Sequence, residues 1–507
     1  MAEFIPAKYV PAKRNNGKLL VDNNHFVYNL VKKREKKTYW GCQKKTSLGC
    51  KVTATVLCKL DENGEPDDEI VDIHGNHSHD SDLMLEASKK ALDDGIELAK
   101  QDLNIISPRS ICANITKDLQ SHNNAAAVSS LPKKSTIARK VQRARMKELD
   151  VPPCPKSWSD VKVPLPLTVN VSGEQFLILE DNLEEHRPEK ILGFASPNCI
   201  EIMKTATQMF ADGTFEICDN SLFFQMFIII CTTPTGINVP CAYFLLPNKE
   251  TIAYKKVLSC LKNNFDITDP PIFHCDFENS IIRAVKDVFP TTRLLCCDTH
   301  FKRALRTNLQ KHHLIAAYNS DPRLQQFIRY LWALSLLPIE DISKVWNEFV
   351  ILNIPEVEDN EWPNVEPGDL DQFVTYFENT WIGGRNRRTG RPQNPKFKHG
   401  LWNKNEAILR GDDLTTNSSE GYNLQLKLAM PKSANLWNMI ISIMKEDSLV
   451  ALKLRDQAIA TTSPPDNKQK AARQRRKEEL HNLVGRYNLK DIKTWMNMVV
   501  AYVQQLG

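Results

Sequence analysis

The sequence predicts an α+β multidomain protein: a small β-rich unit stapled by metal, a helical region, and a larger core of strands and helices that carries a helical insertion. Three observations predict it. Strand-like runs near the N-terminus end on paired cysteines and paired histidines. Five prolines between Pro152 and Pro166 then interrupt regular structure. From about residue 190, apolar strands alternate with amphipathic helices.

Composition bounds the reading. The chain has 507 residues, room for several domains at ~150 residues each. Its 42% hydrophobic and 25% charged content is ordinary for a globular protein. No run approaches the ~18 consecutive apolar residues of a membrane span, and the opening MAEFIPAKYVPAKR lacks the apolar core of a signal peptide. We therefore expect an intracellular protein with no membrane partner. None of the 13 cysteines lies beyond Cys297, which does not resemble a secreted disulfide framework. Net charge is only +5, but basic residues cluster at Lys32–Lys37, Lys133–Lys147, Arg385–Arg391 and Lys468–Lys477. Such clusters are either phosphate-binding patches or solvated faces.

In order along the chain, residues 18–80 read as a small β unit. HFVYNLVKK alternates like a half-buried strand, KTYWGC and CKVTATVLC add two more, and EIVDIHG follows a DENG turn. Residues 81–150 read as three helices: LMLEASKKALDDGIELAKQ, SPRSICANITKDLQ and the basic STIARKVQRARMKEL. Residues 151–189 read as a Pro-rich linker or extended edge. Over 190–310, MFADGTFEI, FFQMFIIICTT and NVPCAYFLL are three strands, followed by helix, strand (PPIFHCDF), helix and strand (TRLLCC). That is the order of an RNase H-like sheet. Residues 311–410 read as a helical insertion with a loop-rich end, and 411–507 as a helix capped near Asn417 or Ser418 with a basic helical tail.

Cys42 and Cys50 are spaced C-x7-C, and 26 residues later come His77 and His79 as H-x-H. Two thiolates and two imidazoles are a tetrahedral structural zinc set, and a unit of this size buries too little apolar surface to fold comfortably without one. Phe26-Val27-Tyr28, Trp40, Cys42, Cys50 and the paired histidines resemble a FLYWCH-type zinc finger. That family is related to the WRKY-type fold, in which a strand enters the DNA major groove. The resemblance implies Lys32, Lys33, Arg34, Lys36 and Lys37 as DNA contacts; the alternative is a metal-stapled protein-interaction module. In the third helix, Arg139, Lys140, Arg143, Arg145 and Lys147 lie on or near one face, with Ile137, Val141 and Ala144 on another. It is either the recognition helix of a helix-turn-helix-like unit or a charged surface helix.

Asp212 in Ala-Asp-Gly-Thr-Phe and Asp276 in His-Cys-Asp-Phe-Glu each end an apolar run, where an uncompensated carboxylate is costly. In the expected sheet both meet at one edge. Glu420, in Asn-Ser-Ser-Glu-Gly-Tyr, opens a helix that would return it to them. Three convergent carboxylates suit two magnesium ions and in-line phosphodiester displacement. Capping and helix-dipole roles are the plainer alternatives, chiefly for Glu420.

ADGTF, VPCAYFLLPNKET, HCDFENSIIRAVKDVFP and CDTHFKRAL resemble the core of the MULE transposase domain of Mutator-like DDE elements. The resemblance implies Asp212, Asp276 and Glu420 as the catalytic acids, Mg²⁺ or Mn²⁺ as cofactor, and Cys297 with His300 as the family's C-x2-H motif. The last pair is expected to pack the sheet, bind a second zinc or orient the insertion. Two departures stand out. No cysteine follows Cys297, so the C-terminal Cys/His finger of many Mutator-like proteins has no counterpart. Thr415-Thr416-Asn417-Ser418 also replaces the usual Arg-Thr-Asn-Asn. The expected function is a nuclear cut-and-paste DNA transposase acting on terminal inverted repeats and target DNA. It would work as a homodimer or larger homo-oligomer, with Arg385, Arg387, Arg388 and Arg391 holding DNA. The rivals are a domesticated, non-catalytic DNA-binding regulator and a protein-interaction scaffold.

Overall fold

A computed structural model describes residues 5–506 apart from 12–17, 35–36, 61–65, 80, 82, 102–107, 122–127, 129–130, 215–221, 359–360, 363, 385–389, 392, 413–420, 423–425, 427–434 and 461–467. The chain forms two compact units, Met1–Pro152 and Pro153–Gly507.

The first unit holds seven strands: β1 (Ile5–Pro6), β2 (Lys8–Pro11), β3 (Lys18–Val21), β4 (Val27–Arg34), β5 (Lys37–Cys42), β6 (Thr53–Leu60) and β7 (Pro66–His74). They form one antiparallel sheet in the order β1-β7-β6-β5-β4-β3-β2. The sheet thus begins earlier than residue 18, where the sequence placed its start. Leu20, Tyr28, Trp40, Val52, Ala54, Val56 and Val71 fill a core with Cys42 and Cys50 inside it. Helices Leu83–Gln101, Pro108–Ser121 and Lys134–Glu148 follow. They bury a separate small core that includes Leu92, Ile111, Ile115, Ile137 and Val141, an apolar set at helical spacing.

The second unit is built on β8 (Leu177–Asn182), β9 (Lys190–Phe194), β10 (Gln208–Thr214), β11 (Gln225–Thr232), β12 (Asn238–Leu246), β13 (Ile272–Cys275) and β14 (Arg293–Cys296), ordered β14-β13-β10-β11-β12-β9-β8. Strands β13 and β14 run parallel to β10, and the others pair antiparallel. Every residue of β11, QMFIIICT, is buried, as befits a central strand covered on both faces. The region expected as linker supplies β8 to the sheet edge and buries Val161, Leu167 and Phe176. Gly193 in β9 permits a close approach: a Cβ there would lie 2.6 Å from Phe244 Cε1.

Helices Thr251–Phe265 and Asn279–Val288 bury their apolar stripes in the main core. The expected insertion is helical from Asp298 to Arg410 in short segments, with Trp346, Trp381 and Trp402 fully buried. Helix Leu436–Ala460 carries two buried acids, Glu446 and Asp447. The expected helix start and caps near Asn417 and Ser418 lie outside the described residues.

Candidate metal centres and nucleic-acid surfaces

In the first unit, β5 ends on Cys42, Gly49 turns the chain through a left-handed φ of 68°, and Cys50 follows. His77 and His79 come just after β7. The ligand atoms of the four residues all lie within 4.8 Å of one another. Cys42 Sγ is 3.1 Å from His79 Nε2, Cys50 Sγ is 3.4 Å from His77 Nδ1, and the two ring nitrogens are 3.2 Å apart. A tetrahedral zinc with bonds of about 2.0–2.3 Å needs ligand separations of roughly 3.3–3.8 Å, so the cluster fits that ion closely. Phe26 stacks on His77 at 3.6 Å between ring centroids and closes one side. Burial opposes ionisation of Cys50, but backbone N–H groups of Val52 and Ser78, with Cys42 and His79, outweigh it and draw the thiol down to about 7. Burial and the neighbouring His79 hold His77 below its ordinary value, toward the neutral form a metal requires.

Behind the ligands lies a relay that sequence reasoning missed. Tyr28 Oη is 2.8 Å from His77 Nε2 and donates to Asp22 Oδ2 at 2.7 Å. Asp22 also accepts from the backbone N–H groups of Asn24 and Phe26. This outer shell leaves Nδ1 of His77 free to face the cluster. Tyr28 was visible as a motif residue, but its partner Asp22 carried no sequence signal.

In the second unit, β10 and β13 pair in register Gln208↔Ile272, Met209↔Phe273 and Phe210↔His274. The offset is constant (272 − 208 = 64), so Asp212 stands opposite Asp276, one residue past the end of β13. Both line one small cavity of about 20 Å³ with Glu278, Lys249, Gln225 and Tyr254. That is space for about one water-sized occupant. Glu278 is held by Lys249 Nζ at 3.1 Å, and its backbone N–H donates to Asp276 O in a tight turn at 2.8 Å. Among the described residues only the Cys/His group brings three or more ligand atoms mutually within 4.8 Å; the carboxylates line their cavity at wider spacing.

The C-x2-H pair meets this cavity. Cys297 is buried at the start of helix Asp298–Lys311, and His300, on its first turn, places Nδ1 3.0 Å from Asp276 Oδ1. The Cys297 thiol and the Asp276 carboxylate together raise the affinity of His300 for a proton, against its burial. Phe277 and Phe301, the residues after Asp276 and His300, both pack edge-on against Trp381 at 4.8 and 4.7 Å. Phe301 also stacks on Trp402 at 5.5 Å. The helical lobe therefore grips both residues that flank the acid and its histidine.

A second polar cluster anchors the segment after residue 420. Across the sheet, Asp212 pairs with Ile228 and Ile228 with Tyr243, so the three share one row. Tyr243 Oη is 2.6 Å from Tyr422 Oη, which donates to Glu446 Oε2 at 3.3 Å. Burial pushes the Glu446 carboxyl up, against the bond from Tyr422. Asp447 accepts from Ser196 Oγ at 2.6 Å. An acidic pair inside the apolar run NMIISIMKEDSLVAL was the available signal for these two. Glu420 itself lies outside the described residues, as do Lys36, Arg385, Arg387 and Arg388.

Of the expected DNA contacts, Lys32, Lys33, Arg34 and Lys37 are exposed on β4 and β5. Arg139, Arg143 and Arg391 are exposed, and Lys140 is half-buried. Arg145, expected on the basic face, is only 4% exposed, and its Nε donates to Ala99 O at 3.0 Å. It ties helix to helix, because its position falls on the packed side of the 3.6-residue repeat with Ile137 and Val141.

Two segments match known families. Residues 208–304 match the family model described as the MULE transposase domain. Residues 9–79 match the one described as the FLYWCH zinc finger domain. No curated protein matches the chain. The FLYWCH match spans the Cys/His cluster and supports structural zinc there. The MULE match spans Asp212, Asp276, Cys297 and His300, and points to a transposase-related, DNA-binding protein.

Proposed function

We propose that this chain is a DDE-type DNA transposase that cleaves and joins strands at transposon ends. The carrying observation is the register of β10 and β13, which sets Asp212 opposite Asp276 inside the MULE-matched segment. The order β12-β11-β10-β13-β14, with β11 antiparallel and the last three parallel, supports an RNase H-like core. The donor set is hard carboxylate oxygen beside a water-sized cavity, which suits magnesium or manganese. When bound, such ions activate the attacking water or 3′-hydroxyl and stabilise the leaving oxygen.

The chain's own residues bind and orient. Asp212 and Asp276 are the paired ligands, and His300 fixes one oxygen of Asp276 so that the other is presented to the cavity. Lys249 holds Glu278 beside them. Glu420 is the third acid in this reading, and Tyr422 supports it. That residue, two beyond Glu420, is bonded to Tyr243 on the row that contains Asp212. The first unit would bind terminal inverted repeats through its zinc-stapled sheet and basic helix. Two copies would pair two ends, and the protein would act in the nucleus.

An excision assay tests this, using a supercoiled plasmid with the inverted repeats that flank the coding sequence. Wild type should excise with magnesium or manganese, and Asp212→Ala or Asp276→Ala should lose at least about a thousandfold, since metal-assisted charge stabilisation supplies several kcal/mol. Full activity after Asp276→Ala would sink the proposal. Tight DNA binding with no excision would identify a regulator instead.

A further inference from the structure

The basic ribbon of the first unit carries an apolar pair that phosphate binding does not explain. Along β4 the first two residues are buried and the next six are exposed. Leu30 is 49% and Val31 68% exposed, directly ahead of Lys32, Lys33 and Arg34. The pairing explains why both face water. Leu30 pairs with Trp40 and Lys32 with Tyr39, so Val31 is the extra residue of a β-bulge. A bulge re-aims a side chain and sharpens local twist. Gly41 on the facing strand makes room for it, since a Cβ there would come within 3.2 Å of Val31 Cγ2. Lys37 and Arg34, the latter 5.9 Å over the Tyr39 ring, keep the surroundings cationic.

Cations fix a protein on the phosphate backbone but carry no sequence information, whereas apolar side chains do. A two-stranded ribbon fits the ~12 Å major groove, and the apolar group on the base edges there is the thymine 5-methyl. We propose that Val31, with Leu30 beside it, is a specificity-determining contact that reads a thymine methyl in the major groove of duplex DNA. The inference rests on the reading that the first unit binds DNA, and it adds which residue selects which base.

The test uses the full chain with zinc. Duplexes are selected from a randomised pool, and affinity is then measured with each thymine of the selected site replaced in turn by uracil, which removes only the methyl. Wild type should lose about fourfold at one position, the worth of one buried methyl group. Val31→Ala should lose a similar factor on the thymine duplex and be indifferent to uracil at that position, with zinc affinity unchanged as the folding control. Leu30→Ala should leave the Val31-dependent position intact and blunt a neighbouring one. Undiminished thymine preference in Val31→Ala, or a wild type blind to every uracil substitution, overturns the inference while leaving DNA binding in place. An absence of salt-sensitive duplex binding overturns the underlying reading itself.

Discussion

Tyr28→Phe isolates the zinc site's outer shell. The change removes one oxygen and keeps the ring, so the core around Leu20, Trp40 and Val56 retains its packing. What it removes is specific: the acceptor for His77 Nε2–H at 2.8 Å and the donor to Asp22 Oδ2 at 2.7 Å. Both groups sit inside the sheet, and Asp22 is almost fully buried. Leaving a buried polar group without its partner costs about 1–3 kcal/mol. Loss of an outer-shell partner of a metal-bound histidine weakens affinity by roughly 10–100-fold, about 1.4–2.7 kcal/mol. The two routes agree, so we expect the zinc Kd to rise by that factor. A competition titration of the full chain against a chromophoric chelator measures it. Unfolding of the first unit should shift with free zinc by the same free energy, with the second unit unaffected. A variant within twofold of wild type would refute the assignment of Nδ1 as the ligand and of Tyr28 as its support.

Further expectations concern the second unit and the basic helix. His300→Ala should lower excision roughly 10–100-fold through Asp276 without lowering the melting temperature of the second unit; full activity would make the 3.0 Å contact incidental. Burial holds the His274 imidazole down to about 3, so the folded protein stays neutral there while an unfolded chain takes up a proton below about 6.5. Stability should therefore fall as pH drops from 6.5 towards 3, and His274→Gln should flatten that part of a denaturant-midpoint profile. Gly193→Ala should destabilise the second unit by about 1–3 kcal/mol, because its Cβ meets the Phe244 ring at 2.6 Å; an unchanged thermal midpoint would show that the ring moves freely. Arg143→Ala should reduce the slope of log affinity against log salt by about 1, whereas Arg145→Ala should instead lower the stability of the first unit.

How far the sequence carried depended on whether the signal was local. The Cys/His cluster was legible because four ligands at short spacing state their chemistry without knowledge of the fold, and they do come together. Strands β10 to β14 were legible from alternating apolar runs and short turns. Strands β8 and β9 were not, because prolines and acids around them read as linker and only pairing to β12 makes them strands. Arg145 was misplaced because charge was weighed above its position on the helical repeat. Asp22, Glu446 and the contact of His300 with Asp276 were invisible for a different reason. Each joins residues far apart in the chain, and a lone acid or histidine carries no mark of its partner.

The sheet row has a metrological consequence. Neighbouring strands repeat at about 4.8 Å, so the row from Asp276 through Asp212 and Ile228 to Tyr243 is three intervals long, about 14 Å. Backbone pairing fixes that length, and no side-chain rotamer can change it. A slip of one residue between any two of these strands would turn one end of the row to the opposite face. The sheet thus works as a gauge block. One end seats Asp276 against His300, the other seats Tyr422, and the tolerance between them is set by hydrogen bonds that carry no chemistry of their own.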